Sequence, residues 1–304
     1  MNRATAQDGD LLPLTQSQLL LWTGQRLAPQ DPLYNMILAF RISGPVDSDH
    51  FKTAFAELIN QSDAMRIVFE SRNEVPRQRF LEHLEYELPV IDFSREEDPL
   101  AARQRWIDAH RTHCFSLDKP LFHSALLKAG NDDFIWYLNQ HHLITDAWSV
   151  SIIYRKMSEL YRAVANGDDK PVGALPRYQD YVSQYRRGED TPRRETARAY
   201  WQQRLAEPPI PSTFYRKPPP DRGGRTERIP IEFGTDRTQG IKALADDKRF
   251  TAFTTDLALF QLFATILFAY LYRITGNERL AIGVPSHGRP GAQAKATAGL
   301  FIEV

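Results

Sequence analysis

The hydrophobic and polar positions of this chain repeat with two different periods. Residues 36–42 and 133–139 are short runs rich in apolar and aromatic side chains, which is typical of strands. Apolar residues recur every three or four positions in residues 51–61 and 148–166, and this spacing predicts two amphipathic helices. Residues 257–272 are mostly apolar but fall short of the ~20 residues that a bilayer helix needs. We therefore expect them to form a fully buried core helix.

Shorter patterns predict the remaining elements. The expected strands are residues 65–69, 78–81, 88–92, 229–233 and 280–284, and the further expected helices are residues 99–114, 178–185 and 191–205. Six prolines from Pro208 to Pro220, followed by Gly223 and Gly224, predict a rigid and irregular connector. Strands alternate with helices on both sides of this break, so the sequence predicts a mixed α/β protein of two lobes.

Composition and charge exclude several classes of protein. The 38 basic and 38 acidic side chains cancel, so no net field would hold nucleic acid or an anionic membrane. With 304 residues and 42% hydrophobic side chains, the chain is long and apolar enough for two compact lobes or one large domain. The single cysteine, Cys114, cannot close an intrachain disulfide, and the first ten residues lack the apolar run of a secretory signal. We expect a cytoplasmic protein.

The most specific chemical pattern is a pair of histidines, His141 and His142, followed by Asp146. It lies between the predicted strand 133–139 and the predicted helix 148–166, on a loop that rigid elements hold at both ends. A neutral imidazole can accept a proton from a nucleophile near pH 7 or hold it by a hydrogen bond. Two histidines whose polar groups are simply satisfied at a strand end would give the same short pattern, so by itself it leaves both interpretations open.

Other candidate sites have less support. His110, His113 and Cys114 are close in sequence, but no second cluster has the spacing of metal ligands, and we predict no metal site. Ser286 lacks the G-x-S-x-G context of a hydrolase nucleophile. Residues 222–225 lack the lysine and the spacing of a phosphate-binding loop.

Seven short motifs, in order along the chain, resemble the condensation domains of nonribosomal peptide synthetases, which are relatives of chloramphenicol acetyltransferase. The first of them, S-x-A-Q-x-x-x-W in that family, is matched with Gln18 and Trp22 in register. The HHxxxDG motif falls on residues 141–147. The other five motifs are matched at residues 61–69, 178–181, 200–205, 277–289 and 298–302.

The resemblance implies an α/β fold of two chloramphenicol-acetyltransferase-like αβα lobes arranged in a V. Residues 1–175 would form the N-terminal lobe, which carries the histidine loop, and residues 176–304 would begin the C-terminal lobe. Family members continue beyond the position that matches Val304. We therefore expect the second lobe to be incomplete and the chain to be an excised or truncated piece.

The resemblance also implies roles for individual residues. His142 would be the catalytic histidine and His141 a structural neighbour, while Asp146 would turn away from the substrate and pair with Arg66. Ala147 stands where the family has glycine; unless the position needs a positive φ, this only adds a methyl group near the substrate. The residues expected along the substrate channel are Trp148, Ser149, Gly288 and Arg289.

The implied reaction is acyl transfer from a carrier-bound thioester to the amine of a carrier-bound aminoacyl acceptor, which forms an amide. The domain itself would bind no cofactor, because the phosphopantetheine arms belong to its partners, the donor and acceptor carrier protein domains. Nucleic acid and membrane are not expected partners. Two alternatives stay open: a related acyltransferase that forms esters or uses acyl-CoA, and a non-catalytic module that docks carrier proteins.

Overall fold

The computed structural model describes residues 11–168, 172–187, 192–208, 229–247 and 254–304. Two compact units are present, one formed by Met1–Thr191 together with Pro285–Val304, and the other by Pro192–Val284. Most of the proline-rich connector predicted from Pro208 onward lies outside the described residues. The lobe boundary expected at residue 175 stays a prediction.

The bounds of the elements agree with the predicted pattern in most places. The strands are β1 (Leu11–Pro13), β2 (Asn35–Ser43), β3 (Ile67–Arg72), β4 (Val75–Phe80), β5 (Val90–Asp92), β6 (Phe122–Lys128) and β7 (Asp133–His141). The helices are α1 (Gln16–Leu27), α2 (Ser48–Gln61), α3 (Pro99–His110), α4 (Ala147–Asn166), α5 (Tyr178–Arg187), α6 (Pro192–Arg204), α7 (Gly234–Ala245), α8 (Thr255–Thr275) and α9 (Gly291–Ala296).

The first unit is built on a four-stranded sheet in the order β2-β7-β6-β5, in which β5 runs parallel to β6 and the other pairs are antiparallel. Helices cover both faces. One face packs Trp136 and Leu138 of β7 against α2 and α4, and the other packs Tyr137 against Ile107 of α3. Because both faces are covered, β7 is buried along most of its length, and its last residue, His141, enters the loop from a rigid strand.

A second sheet, in the order β1-β4-β3, lies at the edge of the same core. The expected strand 65–69 begins two residues late, because Asp63–Arg66 forms a 3-10 turn before β3. Helix α1 follows β1 and is opened by a capping box, in which the Thr15 and Gln18 side chains each bond to the other's main-chain N–H. These elements place α1 beside the turn that follows β7.

The second unit corrects one prediction about packing. Helix α8 forms where it was expected, but among the described residues only its Ala258 and Leu271 are buried, while Phe260, Phe263 and other large apolar side chains are exposed. A helix that is apolar on all sides is buried only if other elements pack on every side of it. The described element that packs on α8 is α7. The prediction of a fully buried helix is therefore wrong for the described part of this unit.

Helix α8 is also the one helix of the described residues that is long and apolar enough to cross a membrane by length and composition, with a mean hydropathy of 1.7. A single helix of this kind is weak evidence for a membrane span, since core helices of soluble proteins pass the same test. The strands expected at residues 229–233 and 280–284 are irregular in the structure. Apolar composition alone does not form a strand unless a neighbouring strand accepts its hydrogen bonds.

The segment Pro285–Val304 belongs to the first unit. Its two ends pair through main-chain bonds between Ser286 and Glu303, of 2.7 and 3.0 Å. Between them, Arg289 and the stretch Thr297–Phe301 are buried. This segment lies against the loop that joins β7 to α4, and the candidate site is formed there.

Candidate active site

The histidine loop joins the last residue of β7 to the first residue of α4. His142–Ile144 forms one 3-10 turn. The main-chain N–H of His142 donates to the Tyr34 carbonyl at 2.8 Å, and its ring Nδ1 lies 2.7 Å from the Thr145 carbonyl. Because a carbonyl can only accept, we assign the ring proton to Nδ1. The Nε2 of His142 is then an acceptor, and the side chain is half-buried.

His141 has both ring nitrogens engaged. Its Nε2 donates to Gln25 Oε1 at 3.0 Å, and its Nδ1 accepts the main-chain N–H of Leu143 at 3.1 Å. Burial, together with the neighbouring His142, lowers the pKa of His141 to about 3. His141 is therefore neutral at physiological pH and has no nitrogen left for a substrate.

Asp146 does not pair with Arg66, which corrects the sequence prediction. Its carboxylate is buried and contacts Arg289, with Nη2 at 2.8 Å from Oδ1 and 2.9 Å from Oδ2. Arg66 instead donates to the carbonyls of Ile59 and Leu81. The Ile59 carbonyl lies in the last turn of α2, where carbonyls without a partner within the helix attract a cation. Arg66 therefore caps the C-terminus of α2.

The Asp146–Arg289 pair is enclosed by further hydrogen bonds. The main-chain N–H of Phe301 donates to Asp146 Oδ2 at 3.0 Å. Ser149 Oγ donates to the Gly299 carbonyl at 2.6 Å and accepts from Arg289 Nη2 at 2.7 Å. The Arg289 guanidinium also lies 4.0 Å from the centre of the Phe301 ring. These contacts join the start of α4 to the segment Pro285–Val304.

The sequence places Ser149 and Arg289 along the substrate channel, and this stays a prediction. Ser149 is 1% exposed and Arg289 is 3% exposed, and their polar atoms are used within the buried cluster. Through these bonds both residues hold Asp146, at the end of the histidine loop, in place.

The other three predicted residues lie at or near the surface of the same region. Ala147 is exposed and begins α4 with a helical φ, so the glycine of the family motif is not required here for a positive φ. Trp148 is 42% exposed, and its Nε1 donates to the Lys295 carbonyl at 2.9 Å. Gly288 has a φ of +58°, and a Cβ there would come within 2.0 Å of the Phe301 carbonyl oxygen, so this position requires glycine.

Two glutamines of α1 support the loop, and the motif analysis assigned no role to either. Gln18 and Gln25 are buried on one face of α1, two turns apart. Gln18 donates to the Leu143 carbonyl at 3.3 Å, and Gln25 accepts from His141. The signal was available in the sequence as two polar residues at helical spacing on an otherwise apolar face. The Tyr34 and Thr145 carbonyls gave no sequence signal, because main-chain groups are common to all residues.

A metal site is not supported in the part of the chain that the structure describes, where no group of three or more suitable His, Cys, Asp or Glu side chains occurs. The His110 ring stacks on Trp106 with centroids 3.7 Å apart, and its Nδ1 bonds to the Trp106 carbonyl at 2.7 Å. Cys114 is exposed. The His110 side chain thus packs against its own helix, and its ring centroid lies 5.5 Å from that of His123 in β6.

Comparison with known proteins places this geometry in a family. The Condensation domain family matches residues 9–304. One of the subunits of linear gramicidin synthase from Brevibacillus parabrevis is 30% identical over 297 residues, covering 96% of this chain and 4% of that protein. Isonitrile lipopeptide synthase of Streptomyces coeruleorubidus is 29% identical, covering 93% of this chain and 19% of that protein. The chain thus spans a small fraction of the length of these curated relatives.

Solved structures share the fold. The first condensation domain of the calcium-dependent antibiotic synthetase, in complex with a substrate analogue, is 25% identical with a TM-score of 0.78, covering 96% of this chain and 68% of that one. A variant of the starter condensation domain of rhizomide synthetase, in complex with C8-CoA and Leu-SNAC, has a TM-score of 0.78 at 24% identity, covering 96% and 64%. The family match extends over nearly the whole sequence and includes the histidine loop, and the chain therefore belongs to the condensation-domain family.

Proposed function

We propose that this chain catalyses amide formation by transferring an acyl group from a thioester to an amine, as a condensation domain of a nonribosomal peptide synthetase. The observation that carries the proposal is the Nε2 of His142, which has no hydrogen-bond partner among the residues that the structure describes. It belongs to a histidine whose other nitrogen is fixed by the Thr145 carbonyl, on a turn held from behind by the Asp146–Arg289 cluster. Such a rigid, oriented imidazole is what proton transfer at a reacting centre needs.

The proton can be followed through the proposed reaction. The acceptor amine attacks the thioester carbon, and the new N–C bond leaves an extra proton on nitrogen. His142 Nε2 accepts that proton, the C–S bond breaks, and the departing sulfur takes the proton back from the imidazolium. While protonated, Nε2–H can also donate to the developing oxyanion. The same ring would therefore orient the amine first and stabilise charge afterwards.

The partners follow from the proposed substrates. Donor and acceptor carrier protein domains would present acyl and aminoacyl thioesters on phosphopantetheine arms, so the cofactor would belong to the carriers. We propose no metal, no nucleic acid and no membrane as partners, and a cytoplasmic location. The balance of 38 basic and 38 acidic residues supports protein partners that are met by local patches.

A second candidate uses acyl-CoA or a hydroxyl acceptor at the same site. The complex of the rhizomide starter domain with C8-CoA favours an acyl-CoA donor as an alternative to a carrier-bound one. The chemistry at His142 would be unchanged, because both donors are thioesters. A module that only docks carriers would leave the free Nε2 without use.

The experiment is His142→Ala in the full chain that contains this domain, with His83→Ala as the matched control on an exposed histidine. We expect product formation to fall by about 10²-fold or more in His142→Ala, with an unchanged melting temperature, and to stay at the wild-type rate in His83→Ala. Donors on carriers or on CoA, and acceptors with an amine or a hydroxyl, are compared side by side. Wild-type turnover in His142→Ala contradicts the mechanism, and no turnover with any donor in the unsubstituted chain favours the docking module.

A further inference from the structure

Gln25 occupies the last turn of α1 and is 6% exposed. Its amide Nε2 donates to two main-chain carbonyls of the segment that follows the helix, that of Ala28 at 3.0 Å and that of Asp31 at 3.2 Å. Because carbonyls only accept, the nitrogen end of the amide must face them. The oxygen end of Gln25 therefore faces His141, and the orientation of the amide is determined by the backbone.

This orientation decides the tautomer of His141. Gln25 Oε1 can only accept, so the proton of the His141 ring lies on Nε2. The other nitrogen, Nδ1, then carries no proton and can accept the Leu143 N–H at 3.1 Å. The reverse tautomer would bring two donors together at Nδ1 and leave the Gln25 oxygen unpaired in a buried site, which is costly.

Leu143 is the middle residue of the turn His142–Ile144. Fixing its N–H fixes the turn, and the turn sets the distance from His142 Nδ1 to the Thr145 carbonyl. A continuous series of hydrogen bonds thus runs from the Ala28 and Asp31 carbonyls through Gln25 and His141 to the turn that bears His142.

We infer that Gln25 is a positioning residue for His142: by holding His141 in its Nε2–H form, it holds the turn that points His142 Nε2 toward the substrate. The inference rests on the acyl-transfer function proposed for His142. It extends that function to a side chain that touches neither substrate nor reacting atoms, and it explains why a neutral amide, rather than a carboxylate, stands beside a buried histidine.

The proposed role of Gln25 therefore requires a side chain without charge at position 25. His141 is neutral because burial and the neighbouring His142 lower its pKa to about 3. Tyr34 is a titratable side chain next to this contact, with its ring centroid 5.9 Å from that of His141, and the main-chain carbonyl of Asp31 bonds to Gln25. A carboxylate in place of the amide would favour the imidazolium form, in which both ring nitrogens are donors and Nδ1 can no longer accept the Leu143 N–H.

The first test is Gln25→Met in the full chain, compared with Gln16→Met at an exposed position of the same helix. Methionine keeps the volume but removes the acceptor. We expect kcat to fall by about tenfold or more with KM nearly unchanged, since a displaced catalytic group costs rate rather than binding. Gln16→Met should keep both constants. An unchanged kcat in Gln25→Met, while His142→Ala is inactive, overturns this inference alone.

The second test is Gln25→Glu against Gln16→Glu, and its readouts include one that needs no substrate. We expect kcat/KM to fall more on acidification in Gln25→Glu than in Gln16→Glu, because only the first variant favours the imidazolium form of His141. We also expect its melting temperature to fall less steeply between about pH 6.5 and about pH 4.5, because His141 then takes up its proton in the folded state. Parallel melting curves for the two variants overturn the contact as described. Full activity of His142→Ala would instead overturn the proposed function.

Discussion

At the scale of single residues, the two adjacent histidines differ in which ring nitrogen is occupied. His141 is buried and has both ring nitrogens bound, whereas His142 has one nitrogen bound and the other without a partner in the described part of the chain. The motif alone cannot make this distinction, because it depends on Gln25 and on a main-chain carbonyl. Two identical side chains thus acquire different hydrogen-bonding roles from their neighbours.

The buried His141 should make stability depend on pH. In the unfolded chain its pKa is near the ordinary 6.5, and in the folded chain it is about 3, so the unfolded state binds the proton first as pH falls. Stability is therefore full above about pH 6.5 and is lost toward pH 3 at up to about 1.4 kcal/mol per pH unit from this group.

Replacing His141 with glutamine should remove that contribution to the slope. Denaturant unfolding between about pH 7 and about pH 4.5 measures it, with His83→Gln as the exposed control. If the slope of His141→Gln equals that of the control, the histidine does not resist protonation in the folded protein.

The buried pair of Asp146 and Arg289 predicts a strong coupling. Removing either partner leaves a buried charge without its counterion, so Asp146→Ala and Arg289→Met should each cost about 3 to 5 kcal/mol of unfolding free energy. The double variant should cost less than the sum, since neither charge remains. Lys52→Ala, in an exposed pair with Asp49, is the control and should change little. Additive costs from chemical denaturation would mean that the pair is not coupled.

At the scale of elements, buried aspartates bind the first N–H groups of two helices near the site, α4 and α5. Asp146 caps α4 by accepting the Ser149 N–H at 2.8 Å, and Asp63 accepts the N–H groups of Tyr178 and Gln179 at the start of α5. Burial raises the pKa of Asp63, and the hydrogen bonds from the Gln179 and Tyr178 N–H groups act in the opposite direction. Arg66 donates its own hydrogen bonds to the main-chain carbonyls of Ile59 and Leu81, which is why its assignment to Asp146 was wrong.

The contact between α5 and the returning segment depends on a glycine. Gly299 has a φ of +152°, and a Cβ there would lie 2.1 Å from the ring of Tyr178, whose hydroxyl donates to the Leu300 carbonyl at 2.7 Å. Gly299→Ala should lower the free energy of unfolding by about 1 to 3 kcal/mol through overpacking and backbone strain.

Gly130 provides the matched control, because an added Cβ there meets nothing within 4 Å and its φ is not in the left-handed range. Gly130→Ala should leave the unfolding midpoint nearly unchanged. Equal midpoints for the two variants would show that Tyr178 can move aside without cost.

At the scale of the whole molecule, the first unit contains two separate stretches of the chain, because Pro285–Val304 belongs to it although Pro192–Val284 forms the second unit. Residues 285–304 lie against the start of α4, and Asp146 meets Arg289 across 143 positions and Phe301 across 155. The histidine loop is therefore completed by a distant stretch of sequence. Its geometry depends on that stretch staying docked.

Hydrogen exchange on the full chain can test this dependence. In Asp146→Ala the amides of Gly299 and Phe301 should exchange faster, because their acceptors lie within the disrupted cluster, while amides in the middle of β7 keep their protection. Peptide-level mass spectrometry follows both sets together. Ser149→Ala, which removes the acceptor of the Gly299 N–H directly, provides a second variant if Asp146→Ala does not fold. Unchanged exchange at both amides would mean that other contacts hold the segment.

The sequence by itself determined the elements around the site. The strands at residues 36–42 and 133–139 and the helix at residues 148–166 are confirmed to within two residues at each end, because hydrophobic periodicity is a local property of the chain. The histidine motif and the family were also evident from short local patterns, and the family is confirmed.

Only the tertiary structure decided which groups meet. The partner of Asp146, the burial of Ser149 and the exposed faces of α8 depend on distances between residues far apart in sequence. So do the tautomers of His141 and His142, since a ring proton goes where an acceptor lies. Periodicity specifies which face of an element will be apolar. The pairing of buried charges and hydrogen bonds is specified by packing in three dimensions.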